Sequence, residues 1–219
     1  MPALRARLGL FGAIALLFVA FSALVASGSL SGYDHRVAAA FAGLWQPAFE
    51  PVFRGIALLA GLELTTVLMI GLAVYLRRLG MVAESWVVLV LPVEVLLELV
   101  YKRLVSHPQP PEALIHPDGP SLTMLLEKSA IQNSFPSGHM SRAVLVYGLL
   151  AFVVYRLARR PALRRLALPV ALILILLEAF DRLYLEVHWQ SDVIGGVLLG
   201  ATCLAAAIIW LEAPRRQPG

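Results

Sequence analysis

Two residues of this 219-residue chain, His188 and Asp192, have the types and spacing of a nucleophile or base and the group that orients it. On a helix their four-residue separation puts both side chains on one face, where the carboxylate can accept a hydrogen bond from one imidazole nitrogen. That bond fixes the tautomer and makes the other nitrogen a better nucleophile or base. Arg182 adds a planar guanidinium that suits phosphate oxygens. The alternative is a surface loop with scattered charges.

A second histidine, His139, ends the stretch Pro136-Ser-Gly-His139, where a polar loop gives way to an apolar run. Ser137 is a candidate helix N-cap, and Gly138 lets backbone N–H groups approach a ligand closely. Because a helix N-terminus favours an anion, this stretch predicts a phosphate site with a proton donor beside it. The alternative is an ordinary helix cap with an interfacial histidine.

The composition indicates an integral membrane protein. The chain is 59% hydrophobic and only 15% charged, against roughly 25% charged residues in soluble domains, and its mean hydropathy is +0.79. The net charge of +4 does not indicate nucleic-acid binding, because the basic residues cluster at the ends of apolar runs. The single cysteine, Cys203, excludes a disulfide framework and a cysteine metal site.

Six apolar runs predict an all-α fold, a polytopic bundle of six transmembrane helices in a single domain over residues 1–219. The runs cover about residues 8–26, 52–76, 81–101, 136–154, 166–180 and 193–211. The first run could instead be a cleaved signal peptide, but its length favours a retained helix. Residues 34–45 are mildly amphipathic, which predicts a segment lying along the membrane interface.

The distribution of Lys and Arg predicts that both termini are cytoplasmic. The loops at residues 27–51, 102–135 and 182–191 would then face outward. This topology brings Lys102, the start of the fourth helix and the segment from Arg182 to Asp192 to the same outer membrane face.

These residues, in this order, resemble the motifs of the type 2 phosphatidic acid phosphatase (PAP2) superfamily. Its motifs read Lys-x6-Arg-Pro, Pro-Ser-Gly-His and Ser-Arg-x5-His-x3-Asp. The second is complete at Pro136-Ser-Gly-His139, and the third matches at Arg182, His188 and Asp192, with Asp181 in place of the usual serine. The resemblance covers about residues 102–192.

The first motif departs further from the family. Lys102 and Pro110 match, but Gln109 stands at the arginine position, and the run His107-Pro-Gln-Pro110 resembles Arg-Pro-Arg-Pro with both arginines replaced. The loss of a charge-assisted hydrogen bond could weaken phosphate binding or turnover on the order of tenfold. Arg142, three residues after His139, is our candidate for the missing charge. The alternative is that Arg142 snorkels to lipid headgroups.

The resemblance implies a mechanism as well as a fold. His188 would attack phosphorus to form a phosphohistidine, Asp192 would orient it, and His139 would protonate the leaving oxygen. The phosphoryl oxygens would be held by the other matching residues: Lys102, Ser137, Gly138 and Arg182, with Gln109 and Arg142 as further candidates. Neither a metal nor a cofactor is implied.

A site at the membrane–water boundary suits a substrate with a lipid tail and a phosphate or pyrophosphate head. We therefore expect a lipid phosphatase of the bacterial plasma membrane, whose partners are the bilayer and its lipid phosphate substrate. The alternatives are a phosphotransferase using the same histidine and a non-catalytic lipid-phosphate binder, the latter suggested by Gln109. A haloperoxidase would share the motifs but is expected to be soluble.

Acids within the predicted transmembrane spans give one further hint. Glu94, Glu98 and Lys102 follow one another at four-residue spacing, as do Glu178 and Arg182, and such pairs are favourable on a helix. They would either orient the two cations for substrate or form structural ion pairs within the bundle.

Overall fold

The fold comes from a computed structural model that describes residues 2–111, 115 and 133–213. Within these residues the chain is helical, and its one β-type contact is an isolated bridge between Pro108 and Asn133. The all-α prediction is therefore confirmed for the described residues. Their α-helices are α1 (Pro2–Ala26), α2 (Ser31–Ala42), α3 (Glu50–Ala57), α4 (Leu62–Arg78), α5 (Val82–Ser85), α6 (Val90–Leu104), α7 (Gly138–Leu157), α8 (Pro161–Tyr184) and α9 (Gln190–Glu212).

Four helical stretches of the described chain are long and apolar enough to cross a membrane: Leu4–Ala26, Pro47–Arg78, Gly138–Leu157 and Gln190–Glu212. They correspond to four of the six predicted spans. The predicted spans at residues 81–101 and 166–180 fall on α5–α6 and on α8, which carry buried ionisable side chains. The structure thus supports a membrane-spanning helical protein, and the count of six stays a prediction.

The outer surface of the bundle is apolar, as contact with lipid requires. Large side chains such as Leu16 on α1, Val67 on α4 and Leu176 on α8 are more than half exposed, at 71%, 64% and 67%. A soluble monomer rarely exposes contiguous apolar surface on this scale. These faces therefore agree with the membrane location that the composition predicts.

Helix α7 lies at the centre of the bundle, between α8 and α9, and most of its side chains are buried. Glycines on α9 allow this close packing. A Cβ at Gly196 would lie 2.5 Å from the carbonyl oxygen of Ser137, and one at Gly200 would collide with the carbonyl oxygen of Ser141. Two small residues four apart let two helix backbones approach closely in a membrane. The start of α7 is thereby held directly against α9.

The stretch Pro47–Arg78 is interrupted by a turn at residues 58–61, between α3 and α4. The interruption leaves backbone carbonyls without helical partners, and side chains of α7 bind them. The Arg142 Nε donates to the carbonyl of Ala60 at 3.1 Å, and the Tyr147 hydroxyl donates to that of Leu59 at 2.6 Å. The turn therefore fixes the direction of the Arg142 side chain.

The predicted interfacial segment at residues 34–45 contains α2. Asp34, in the first turn of α2, is buried and accepts hydrogen bonds from the backbone N–H of Ser191 at 2.9 Å and from its hydroxyl at 2.8 Å. This contact ties α2 to the start of α9. The stretch at residues 102–135, predicted as an outer loop, lies largely outside the described residues.

Candidate active site

The start of α7 is the capped helix N-terminus that the sequence predicts. Ser137 is the N-cap, and its hydroxyl oxygen accepts from the backbone N–H of Met140 at 3.4 Å. Gly138 is the first helical residue, and the Ser137 N–H donates to the carbonyl of Asp192 at 3.1 Å. The cap prediction is confirmed, and the backbone contact places the Pro136-Ser-Gly-His139 motif beside the one that ends at Asp192.

The predicted His188–Asp192 pair is formed. The Nδ1 of His188 lies 3.3 Å from Oδ2 of Asp192, which also accepts from the Trp189 N–H at 2.9 Å. Asp192 is fully buried, whereas the His188 side chain is 12% exposed. Because Nδ1 is turned to the carboxylate, Nε2 is the nitrogen that remains for attack on a substrate.

Asp192 has a second histidine partner, to which sequence reasoning assigned no role. The Nδ1 of His107 lies 2.8 Å from Oδ1 of Asp192, and its Nε2 lies 3.7 Å from Oδ2 of Asp34. The Asn133 side chain fixes the His107 backbone by accepting from its N–H at 3.1 Å and donating to the carbonyl of Lys102 at 2.9 Å. The sequence feature that indicates a role for His107 is its place at the first arginine position of the Arg-Pro-Arg-Pro pattern.

The electrostatics of His107 follow from these neighbours. Burial by itself lowers the pKa of His107, but hydrogen bonds and charge interactions with Asp192 and Asp34 outweigh burial and raise the pKa to about 9. His107 is therefore a cation at neutral pH. By contrast, the Gln109 side chain in the same loop is exposed. Of these two residues, His107 is the one that is buried in the bundle. Gln109, the candidate phosphate ligand predicted from the sequence, is not buried.

Two of the predicted phosphate-binding cations, Lys102 and Arg142, share the carboxylate of Glu98. The Lys102 Nζ lies 3.1 Å from Oε1 of Glu98, and the Arg142 Nη1 lies 2.8 Å from Oε2. All three side chains are buried. Arg142 therefore points into the bundle beside Lys102 and does not snorkel to the headgroups. This position is the one that Arg142 needs if it supplies the charge of the missing motif arginine.

The third predicted cation, Arg182, is bound by acids from its own helix. Its Nε donates to Asp181 at 2.9 Å and lies 3.2 Å from Glu178, and its Nη2 also contacts Asp181. The predicted Glu178–Arg182 pair is thus present. Asp181, at the position where the resemblance expects serine, brings a second carboxylate to the guanidinium.

His139 lies half-buried at the second residue of α7, where the predicted site residues converge. The ionisable side chains that act on it electrostatically are those of Arg182, Arg142, His188 and Lys102. They come from α6, α7, α8 and the loop before α9, so tertiary packing gathers the predicted residues around His139. Gln109 is the predicted residue whose side chain points to solvent.

A small open pocket lies beside His188. Its other walls include the apolar side chains of Ala38, Phe41 and Leu183, together with Glu186. The backbone of Glu186 has a φ of 55°, in the left-handed region that non-glycine residues seldom adopt. Burial raises the pKa of the Glu186 carboxyl.

No group of three or more His, Cys, Asp or Glu side chains in the described ranges is placed to hold a metal ion. The expectation that the reaction needs neither a metal nor a cofactor stays a prediction.

Comparison with known proteins agrees with the motifs. The chain is 27% identical over 192 residues to phosphatidylglycerophosphatase B of Bacillus subtilis, covering 84% of this chain and 86% of the relative. It is 28% identical over 165 residues to the putative undecaprenyl-diphosphatase YbjG of Escherichia coli, covering 75% of this chain and 77% of that protein.

A solved structure shares the fold. It is a transmembrane PAP2 type phosphatidylglycerolphosphate phosphatase from Bacillus subtilis, with a TM-score of 0.76 and 24% identity over 94% of this chain and 98% of the other. The sequence model of the PAP2 superfamily matches residues 80–216, which is more than half of the chain and includes all three motifs. The chain therefore belongs to the PAP2 superfamily.

Proposed function

We propose that this protein is a membrane lipid phosphatase that cleaves a phosphomonoester or pyrophosphate through a phosphohistidine at His188. Membership of the PAP2 superfamily and the two phosphatase relatives support a phosphoric ester hydrolase. The observation that carries the proposal is the His188–Asp192 pair at 3.3 Å, beside a pocket that the His188 ring lines. It supplies an oriented nucleophile with an access route.

In the first step the Nε2 of His188 attacks the terminal phosphorus, and the bond from that phosphorus to the ester oxygen of a monophosphate, or to the bridging oxygen of a pyrophosphate, breaks. His139 donates a proton to that oxygen, so the lipid leaves as an alcohol or, from a pyrophosphate, as a monophosphate. In the second step His139 takes a proton from water, whose oxygen attacks the phosphohistidine. Inorganic phosphate leaves, and both histidines return to their starting state.

The transferring phosphoryl group gathers negative charge, and the surroundings of His139 are suited to stabilise it. Lys102, Arg142 and Arg182 supply positive charge, and the Ser137 hydroxyl and Gly138 N–H supply donors at the start of α7. Arg142 takes the place of the motif arginine, at whose position this chain has Gln109. This arrangement favours catalysis over passive binding of a lipid phosphate.

The substrate is a lipid phosphate of the polyprenyl pyrophosphate, phosphatidic acid or phosphatidylglycerol phosphate class. Both relatives are named for lipid-linked substrates, and the pocket beside His188 has apolar walls that suit the first atoms of a lipid tail. We further propose six membrane spans with both termini in the cytoplasm of a bacterium. The site would then face the outside of the plasma membrane.

The test is phosphate release from a panel of these lipids in detergent, comparing wild type with His188→Ala. Arg159, exposed at the opposite end of α7 from the site, provides the control as Arg159→Ala. We expect release to vanish in His188→Ala and to persist in the control, and labelled substrate to leave an acid-labile phosphoryl group on wild type and on the control but not on His188→Ala. Consumption of substrate only when a lipid or sugar acceptor is added, with a phosphorylated acceptor and little free phosphate as products, would indicate a phosphotransferase. Binding without release from any lipid would indicate a non-catalytic binder.

A further inference from the structure

Asp192 is bound by two imidazole rings, one on each carboxylate oxygen. Oδ2 faces Nδ1 of His188 at 3.3 Å, and Oδ1 faces Nδ1 of His107 at 2.8 Å. The second contact is the shorter, and it comes from a loop that is 85 residues away in sequence. A side chain outside the nucleophile's own motif therefore helps to determine where the carboxylate lies.

His107 in turn lies between two buried carboxylates. Its Nε2 faces Asp34 of α2 at 3.7 Å, and Asp34 is held in place by both hydrogen bonds from Ser191. The other groups around the ring are the Ser134 hydroxyl at 3.2 Å and the rings of Phe135 and Trp189, which lie roughly edge-on. Among the described residues, the ionisable groups that face His107 are thus Asp34 from α2 and Asp192 from α9.

We propose that the His107 imidazolium is a positioning residue for the reaction, a fixed positive charge that holds Asp192 in place to orient His188. The inference rests on the proposed phosphohistidine chemistry at His188. In this proposal His107, at the first arginine position of the Arg-Pro-Arg-Pro pattern, acts through Asp192 and not on the phosphoryl group itself.

The charge on His107 matters because Asp34 and Asp192 are both buried. Two carboxylates in a site of low polarity repel each other, and an ion pair with a cation between them offsets the cost of burying them. Where the resemblance expects a permanently charged arginine, this chain has a group that can lose its charge. A neutral His107 could keep one N–H toward Asp192, but it would lose both its charge and its second donor toward Asp34.

The sign of the pH dependence follows from the raised pKa. His107 is protonated below a pH of about 9 and loses its charge as the pH rises through that value. Its contribution to the orientation of Asp192, and to the stability of the α2–α9 contact, is therefore present at neutral pH and lost in alkali.

The experiment compares the pH profile of kcat/KM in wild type, His107→Arg and His107→Gln, with Arg159→Gln as an exposed control at the opposite end of α7. We expect His107→Gln to lower kcat/KM at neutral pH by about tenfold or more, because it removes a charged hydrogen-bond partner. His107→Arg should retain activity and lose the fall in rate near pH 9. Arg159→Gln should match wild type. A fall at the same pH in wild type and His107→Arg, or wild-type turnover in His107→Gln, would overturn the proposal.

A second measurement does not depend on turnover or on the folding of these variants. Nuclear magnetic resonance of wild type with labelled histidines should show one imidazole that titrates near pH 9, and Asp34→Asn should lower that value. Titration of every imidazole near the ordinary value of about 6.5 would overturn the role of His107. If no lipid releases phosphate from wild type, the proposed function fails instead. In that case the titration alone still tests whether His107 is charged between Asp34 and Asp192.

Discussion

Glu98 and Gly138 are in direct contact at the start of α7. The carboxylate of Glu98 lies so close to Gly138 that a Cβ on this residue would collide with it. The same carboxylate binds Lys102 and Arg142. An acidic group of the protein therefore lies beside the helix N-terminus where the proposed function expects a phosphate, and the glycine of the Pro136-Ser-Gly-His139 motif makes room for it.

Replacement of Gly138 by alanine should displace Glu98 and disturb both cations. We expect a loss of stability of about 1–3 kcal/mol, as is typical of overpacking in a core, with phosphate release reduced by at least about tenfold. Gly71→Ala on α4 is the matched control, since a Cβ there would meet nothing within 4 Å. Thermal unfolding and initial rates in detergent measure both effects. Equal behaviour of the two variants would show that the Glu98–Gly138 contact is not tight in the working enzyme.

Glu98→Gln tests whether the shared carboxylate orients Lys102 and Arg142. The amide keeps the size of the side chain but removes the charge that holds both cations. We expect KM to rise several-fold and stability to fall by about 3–5 kcal/mol, the usual cost of breaking a buried ion pair. Glu50→Gln, which disrupts the more exposed pair with Arg54, is the control. A fall in stability with an unchanged KM would show that the pair is only structural.

Substitutions at Arg142 and at Gln109 test which of the two positions supplies the charge of the missing motif arginine. Because Arg142 is buried beside Lys102, Arg142→Ala should lower kcat/KM by about tenfold or more, and Arg142→Lys should restore part of the loss. Because Gln109 is exposed, Gln109→Arg should change kcat/KM less than about twofold. Steady-state rates on one lipid phosphate are sufficient. A marked acceleration in Gln109→Arg, with no effect of Arg142→Ala, would contradict compensation by Arg142.

Asp181→Ser restores the residue that the family motif contains and removes one carboxylate from Arg182. Glu178 still holds the Nε of Arg182 at 3.2 Å, so the guanidinium keeps its place while more of its charge becomes available to phosphate. We expect KM to fall a few-fold, by up to about tenfold. Asp181→Asn should act in the same direction, because it also removes the charge. An increase of KM in both variants would mean that Asp181 positions Arg182 instead of competing for it.

Local sequence determined those features that depend on neighbours within one turn of helix. Ser137 caps α7 because its hydroxyl reaches an N–H three residues later, and His188 meets Asp192 because four residues bring two side chains to one face. The apolar runs likewise predicted the long helices. The motifs identified the family, since their order and residue types do not depend on how the helices pack.

Tertiary structure alone decided which residues from different helices meet. The Arg142–Glu98 pair joins side chains 44 positions apart, and the Ser191–Asp34 contact joins residues 157 apart. Such contacts depend on the close approach of α7 to α9 at Gly196 and Gly200, and on the turn at residues 58–61 that accepts the Arg142 Nε. In the loop before α7, the fold buries His107 and leaves Gln109 exposed. No pattern of neighbouring residues predicts that choice, because it depends on two buried carboxylates, Asp34 and Asp192, that only packing brings to the same imidazole.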